Sequence, residues 1–260
     1  MSLKKVFNEN TYKFLRKTYL MVFIMAVLTR VLLPIALHET QLVNTLVFSV
    51  VAIFGASIIL IDFFTKRVFL QPKNIIWLLI FLVVCLISSV INVKYGLLGN
   101  IRNLVWLAIS FLLLYPIDEE RSIEDVKKEI KFVTNILTLV WFIACLASLV
   151  MFLLKIGFYV DVYPDSFARL GFVEGRLFGI FEDPNYAAVV AVVVILFSIF
   201  NIKNSSRQSF KIFYFSNILV NFCYLVLSGS RTAEVSAIIV TFLLIYFVLM
   251  QRFKCQKMNL

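Results

Sequence analysis

The sequence has a single histidine, His38, and four cysteines, Cys85, Cys145, Cys223 and Cys255, among its 260 residues. No CxxC pair or Cys/His spacing occurs, so neither a zinc site nor a disulfide framework is indicated. P-loop, HExxH and DxD-like patterns are also missing, and no metal or nucleotide cofactor is expected. Charge is scarce too. Only 15% of the residues are Asp, Glu, Lys or Arg, where soluble domains carry roughly a quarter. That shortage argues against a soluble globular domain.

What is abundant is apolar surface: 62% of the chain, with a mean hydropathy of +0.95. Eight runs approach the roughly 20 apolar residues that a bilayer-spanning helix needs. They are Tyr19–Leu37, Leu42–Phe64, Ile75–Ile91, Leu104–Ile117, Val133–Phe158, Pro184–Phe200, Phe213–Leu227 and Thr232–Met250. In lipid, backbone groups must be satisfied within the segment, and no run shows the two-residue alternation of a barrel. The expected fold is therefore all-α. It is a single polytopic membrane bundle of about eight transmembrane helices over residues 1–260, with an outer loop at 159–183.

A formal net charge of +10 reads as topogenic charge rather than a nucleic-acid footprint, so no nucleic-acid partner is expected. With the basic segment 1–18 inside, eighteen of the 25 lysines and arginines fall on inner connections. The outer connections receive Lys94, Arg102, Lys155, Arg169, Arg176 and Arg231, and Arg30 lies within the first run. This split implies a multi-pass membrane protein with both termini, including the tail 251–260, in the cytoplasm. The inner segment "DEERSIEDVKKEIKF" mixes signs and reads as a short helix with a solvated face. The outer positives are mostly arginine, whose planar fork suits phosphate and carboxylate.

Two stretches place polarity at the mouth of an apolar run. In "GRLFGIFEDPNYAA", Asp183 before Pro184 reads as a helix cap followed by proline at the first helical position. Capping does not account for Arg176 or Asn185. In "LSGSRTAEVSA", Gly229 suits a tight turn, Ser230 a cap and Glu234 a first helical turn. Arg231 stands where the helix dipole disfavours a cation. An arginine beside the free N–H groups of a helix start makes an anion-binding concavity. Anchoring to lipid headgroups is the ordinary alternative for each arginine.

Together the two stretches resemble the signatures of the O-antigen ligase and O-antigen polymerase superfamily. The first signature runs approximately Arg-x-x-Gly-x-x-x-x-Pro-Asn and then small residues, matched by Arg176, Gly179, Pro184, Asn185, Ala187 and Ala188. The second runs approximately Ser-Arg-x-Ala, matched by Ser230, Arg231 and Ala233. The resemblance implies an enzyme of surface polysaccharide biosynthesis (O-antigen, capsule or exopolysaccharide). Such a glycosyltransferase moves a glycan from a polyprenyl-diphosphate carrier on the outer face of the bacterial cytoplasmic membrane. The implied partners are a polyprenyl-diphosphate-linked oligosaccharide and membrane lipid. Arg176 and Arg231 would be the catalytic pair, with Asn185, Arg102, Arg30, Glu182 and Ser230 around the substrate. Family members continue through a large outer loop, bearing a histidine implicated in catalysis, and further spans. This sequence stops at Leu260, and His38 is not at that position, so the expectation is either a truncated or split member or one completed by a separate polypeptide supplying the C-terminal part. The alternative reading is a transporter or flippase for an anionic or lipid-linked substrate.

Overall fold

The computed structural model describes residues 9–32, 41–64, 70, 75–114, 122–163 and 166–257. It is mostly helical, with eight helices among the described residues. These are α1 (Glu9–Leu32), α2 (Gln41–Phe64), α3 (Ile75–Ile91), α4 (Leu97–Ile109), α5 (Ile123–Leu153), α6 (Pro184–Asn204), α7 (Gln208–Ser228) and α8 (Arg231–Lys257). Each expected apolar run has one counterpart. Five described segments, in α2, α4, α5, α6 and α7, are long and apolar enough to cross a membrane, and α3 is a shorter apolar helix.

Several boundaries differ from expectation. Helix α1 starts ten residues before Tyr19, α4 starts before Leu104, and α8 continues through most of the segment read as a tail. Polar residues extend these helices because helical hydrogen bonding does not stop where hydropathy falls. The larger correction is between α5 and α6. The segment read as a loop, and absent from an all-α fold, forms an antiparallel sheet in the order β1 (Gly157–Tyr163), β2 (Ser166–Val173), β3 (Arg176–Gly179). Helix α5 therefore ends at Leu153 rather than running to Phe158. Lys155 turns the chain with φ 54°, and the Ile156 N–H closes back on the Met151 carbonyl at 2.8 Å.

Contacts divide the chain into two compact units, with the boundary between Ile130 and Lys131 inside α5. The first unit holds α1 to Leu28 and α2–α4. Its core clusters Tyr12, Tyr19, Val51, Ile58, Ile109 and Leu113. Tyr19 meets the Phe54 ring edge-on at 5.4 Å. A Cβ at Gly55 would stand 2.9 Å from the Tyr19 hydroxyl, so glycine permits this approach. Helix α4 loosens into a π-turn at Ser110–Leu114. Lys13 and Arg16 of α1 pair with Asp125 and Glu129 at 3.1 and 3.5 Å. The mixed-sign segment thus uses two of its acids on α1 rather than presenting only a solvated face.

The second unit holds the end of α1 from Thr29, the rest of α5, the sheet and α6–α8. Its interior carries a line of amides along α7. Tyr214, Asn217, Asn221, Tyr224 and Ser228 recur on one buried helical face. Asn217 donates to the Thr138 carbonyl of α5 at 2.7 Å, and Asn221 donates to the Asn217 side chain at 2.6 Å. The Tyr214 hydroxyl donates to Asn135 at 2.8 Å, and the Cys145 thiol to Asn221 at 3.5 Å. The bonds that cross from α7 to α5 suit helices with little else polar to hold them in register.

Candidate functional site

A glycine fixes where the site begins. Strand β3 enters from a hairpin turn at Glu174–Gly175, both with positive φ, and buries Leu177, Phe178 and Gly179. Gly179 has φ 69° and lies against α5; a Cβ there would fall 2.0 Å from the Ser148 hydroxyl. The Ser148 hydroxyl accepts the next N–H, from Ile180, at 3.1 Å. On the other side the Tyr224 hydroxyl donates to the Phe178 carbonyl at 3.1 Å. Phe181 then stacks on Trp141 at 5.1 Å and meets Tyr224 at 5.2 Å. The strand is held between α5 and α7.

This attachment aims Arg176 at the junction of α6, α7 and α8. Its Nε donates to the Ser228 carbonyl at 2.9 Å, and its Nη2 donates to Asn185 Oδ1 at 2.9 Å. Ser228 is the last residue of α7, and its orphaned carbonyl thereby gains a charged donor. Gly229 closes α7 in the left-handed region with φ 60°; a Cβ there would sit 3.5 Å from Arg176 Nε. Ser230 is fully buried and caps α8, accepting the Ala233 N–H at 3.3 Å. Its own N–H donates to the Ser228 hydroxyl at 3.3 Å. Arg231 follows as the exposed first residue of α8. Ser228 and Arg231 are three residues apart, so their Cα atoms lie within about 11 Å.

At the start of α6 Asp183 caps the helix, accepting the Asn185 N–H at 2.8 Å, and Pro184 follows. Asp183 is thereby engaged, whereas Glu182 is exposed beside it. Arg176 uses two of its five N–H groups on protein oxygens, leaving three for a ligand. Half-buried Arg176, exposed Arg231 and two helix starts gather at one mouth, together with the carboxylates of Glu182, Asp183 and Glu234.

The structure thus joins the two sequence stretches through Arg176, Asn185 and the Ser228–Ser230 turn. Glu182 and Arg231 follow as chain neighbours. Arg102 belongs to the first unit, where its guanidinium lies 5.2 Å from the Phe48 ring centre. The side chain of Arg30 and all of His38 lie outside the described residues. Among the described residues, no group of three or more His, Cys, Asp or Glu side chains converges on a metal position.

Two features escaped the sequence. Ser148 is one hydroxyl in a long apolar run, and nothing local distinguishes it from an ordinary helix serine. Arg169 was visible only as one charge of an expected loop. Its guanidinium lies 5.9 Å from the Phe178 ring centre, the same distance as that of Arg176. Arg169 pairs with Glu174 at 3.3 Å, and the Tyr159 hydroxyl donates to the same carboxylate oxygen at 3.2 Å. No protein-family model, curated protein or solved structure matches the chain.

Proposed function

We propose that this is a multi-pass membrane protein of surface polysaccharide assembly that binds a polyprenyl-diphosphate-linked glycan and transfers its sugar. The observation that carries this reading is Arg176. One guanidinium bridges the α7 C-terminus and Asn185 at the α6 start, joining the two stretches that resemble the O-antigen ligase and polymerase signatures. The five long apolar helices supply the membrane setting, and all eight helices are read as spans or parts of spans. In the orientation argued from basic-residue counts, this mouth faces outward, where a carrier's diphosphate would lie.

In the reaction, the bond between the glycan's C1 and the diphosphate oxygen breaks, and an acceptor hydroxyl oxygen forms the new bond to C1. Electrons of the broken bond pass to the diphosphate, which leaves on its lipid. Arg176 and Arg231 stabilise that growing charge with bidentate donors. The acceptor's proton goes to Glu182, which is free of the capping duty that occupies Asp183. Asn185 and the Ser230-capped turn keep the guanidinium oriented. Ser230 therefore acts on the substrate through the turn it builds.

Reconstitution into vesicles with a radiolabelled polyprenyl-diphosphate oligosaccharide tests this. The enzyme reading expects free polyprenyl diphosphate to appear with a glycosidic product, and the product to vanish in Arg176→Ala. Movement of intact substrate across the bilayer without cleavage would instead establish the transporter reading.

A further inference from the structure

The first unit contains a cavity that the diphosphate chemistry leaves without a role. It is an open cavity of about 340 Å³ between the second half of α3 and the facing side of α4. The helices meet there through a one-turn connection, with Gly96 in the left-handed region at φ 112°. Ser88, Ser89, Asn92, Asn100 and Asn103 all line the cavity, and no charged side chain does.

Two of those groups are spent partly on their own helix. The Ser89 hydroxyl donates to the Cys85 carbonyl at 2.8 Å, and the Asn92 amide donates to the Ser88 carbonyl at 2.9 Å. Asn100 and Asn103 differ. They are one helical turn apart on the same face of α4, and their side chains bond to nothing among the described residues. Each carries two donors and an acceptor toward the cavity. Val84 and Leu107 add an apolar wall.

We propose that this cavity is a binding site for a sugar ring of a neutral glycan. A sugar hydroxyl both donates and accepts, which matches the dual capacity of an amide better than any ion does. The apolar wall suits the C–H face of the ring. A lipid chain would leave the two amides unsatisfied, at a cost in any dry environment. An anion would meet no positive group in the lining. The volume is near the lower end of small-molecule sites, which fits one or two rings. The proposal does not rest on the diphosphate reading.

Cys85 lines the cavity and is a native reporter, while Cys223 is exposed in the second unit and serves as an internal control. The full chain is purified in an amine-oxide detergent, which carries no sugar. N-ethylmaleimide labelling of both thiols is followed by peptide mass spectrometry. Methyl glycosides of glucose, galactose and N-acetylglucosamine are the probes, with sodium pyrophosphate as the anionic control. At twice its dissociation constant, a bound glycoside slows Cys85 labelling about threefold. Cys223 should be unaffected and pyrophosphate should protect nothing. Asn100→Ala and Asn103→Ala should each weaken protection without lowering thermal stability, since neither side-chain amide bonds to anything among the described residues. Protection should persist in Arg176→Ala, which separates this site from the diphosphate site. Equal Cys85 rates with and without every glycoside at the solubility limit would overturn the proposal. So would parallel slowing of Cys223, protection unchanged in the double asparagine variant, or a Cys85 inert to maleimide throughout.

Discussion

Replacing Gly179 with alanine tests how the fold positions Arg176, because it alters neither arginine. The new Cβ would sit 2.0 Å from Ser148 Oγ and 2.3 Å from Ser148 Cβ, distances at which something must move. Holding a non-glycine residue at φ 69° costs about 1–2 kcal/mol. Overpacking against Ser148 adds about 1–3 kcal/mol. Displacing Ser148 also weakens its bond from Ile180, worth about 1 kcal/mol. The expected loss is about 3–6 kcal/mol, or roughly 6–24 °C in melting temperature for a chain of this size. Thermal unfolding of the detergent-solubilised protein measures it. Ser148→Gly in the same chain removes both clashing atoms and leaves the Ser148 Cα at 3.2 Å as the nearest. The double variant should recover the steric part but not the backbone part, a coupling of about 1–3 kcal/mol. A Gly179→Ala protein as stable as wild type, or no recovery in the double variant, refutes this account of β3.

Asn221→Leu should lower stability by about 0.5–2 kcal/mol, because its oxygen accepts the Cys145 thiol of α5 and its amide braces Asn217, which in turn holds the Thr138 carbonyl of α5; a chemical-denaturation midpoint reads it. Glu174→Gln should tighten diphosphate binding severalfold and Arg169→Ala should loosen it, since the carboxylate competes for a guanidinium beside the same ring as Arg176. Equal affinities in both variants would remove Arg169 from the site. In intact cells, an impermeant thiol reagent should label a cysteine placed at Ser166 and spare one placed at Ser122. The reverse pattern would invert the proposed orientation.

What the sequence disclosed was local. The Asp183 cap, Pro184 in the first turn, the left-handed Gly229 and the Ser230 cap depend on neighbours within a few residues, and all are present. The helical runs were legible for the same reason, since hydropathy is a property of each segment. The sheet was not. Its strands are short, and their pairing depends on contacts such as Tyr159 opposite Arg169 and Gly171 opposite Gly179. The role of Gly179 depends on Ser148, thirty-one residues earlier, and the partner of Arg176 is a backbone carbonyl 52 residues away. Residue type could suggest that Arg176 binds an anion, but not which oxygen would hold it. Likewise, what Asn217 and Asn221 bond depends on the meeting of their helical face with α5.

The central claim is that Arg176 and Arg231 hold one diphosphate, and calorimetric titration of the purified chain with a short polyprenyl diphosphate tests it most directly. Each charged hydrogen-bonding contact is worth about 1.5–3 kcal/mol, so Arg176→Ala and Arg231→Ala should each weaken binding about 10- to 100-fold. Arg231→Lys should also weaken it, because charge is kept while the bidentate fork is lost. The two alanine effects should be less than additive, since both groups grip one ligand. Binding that is unchanged in both alanine variants would contradict the claim and leave the arginines as headgroup anchors.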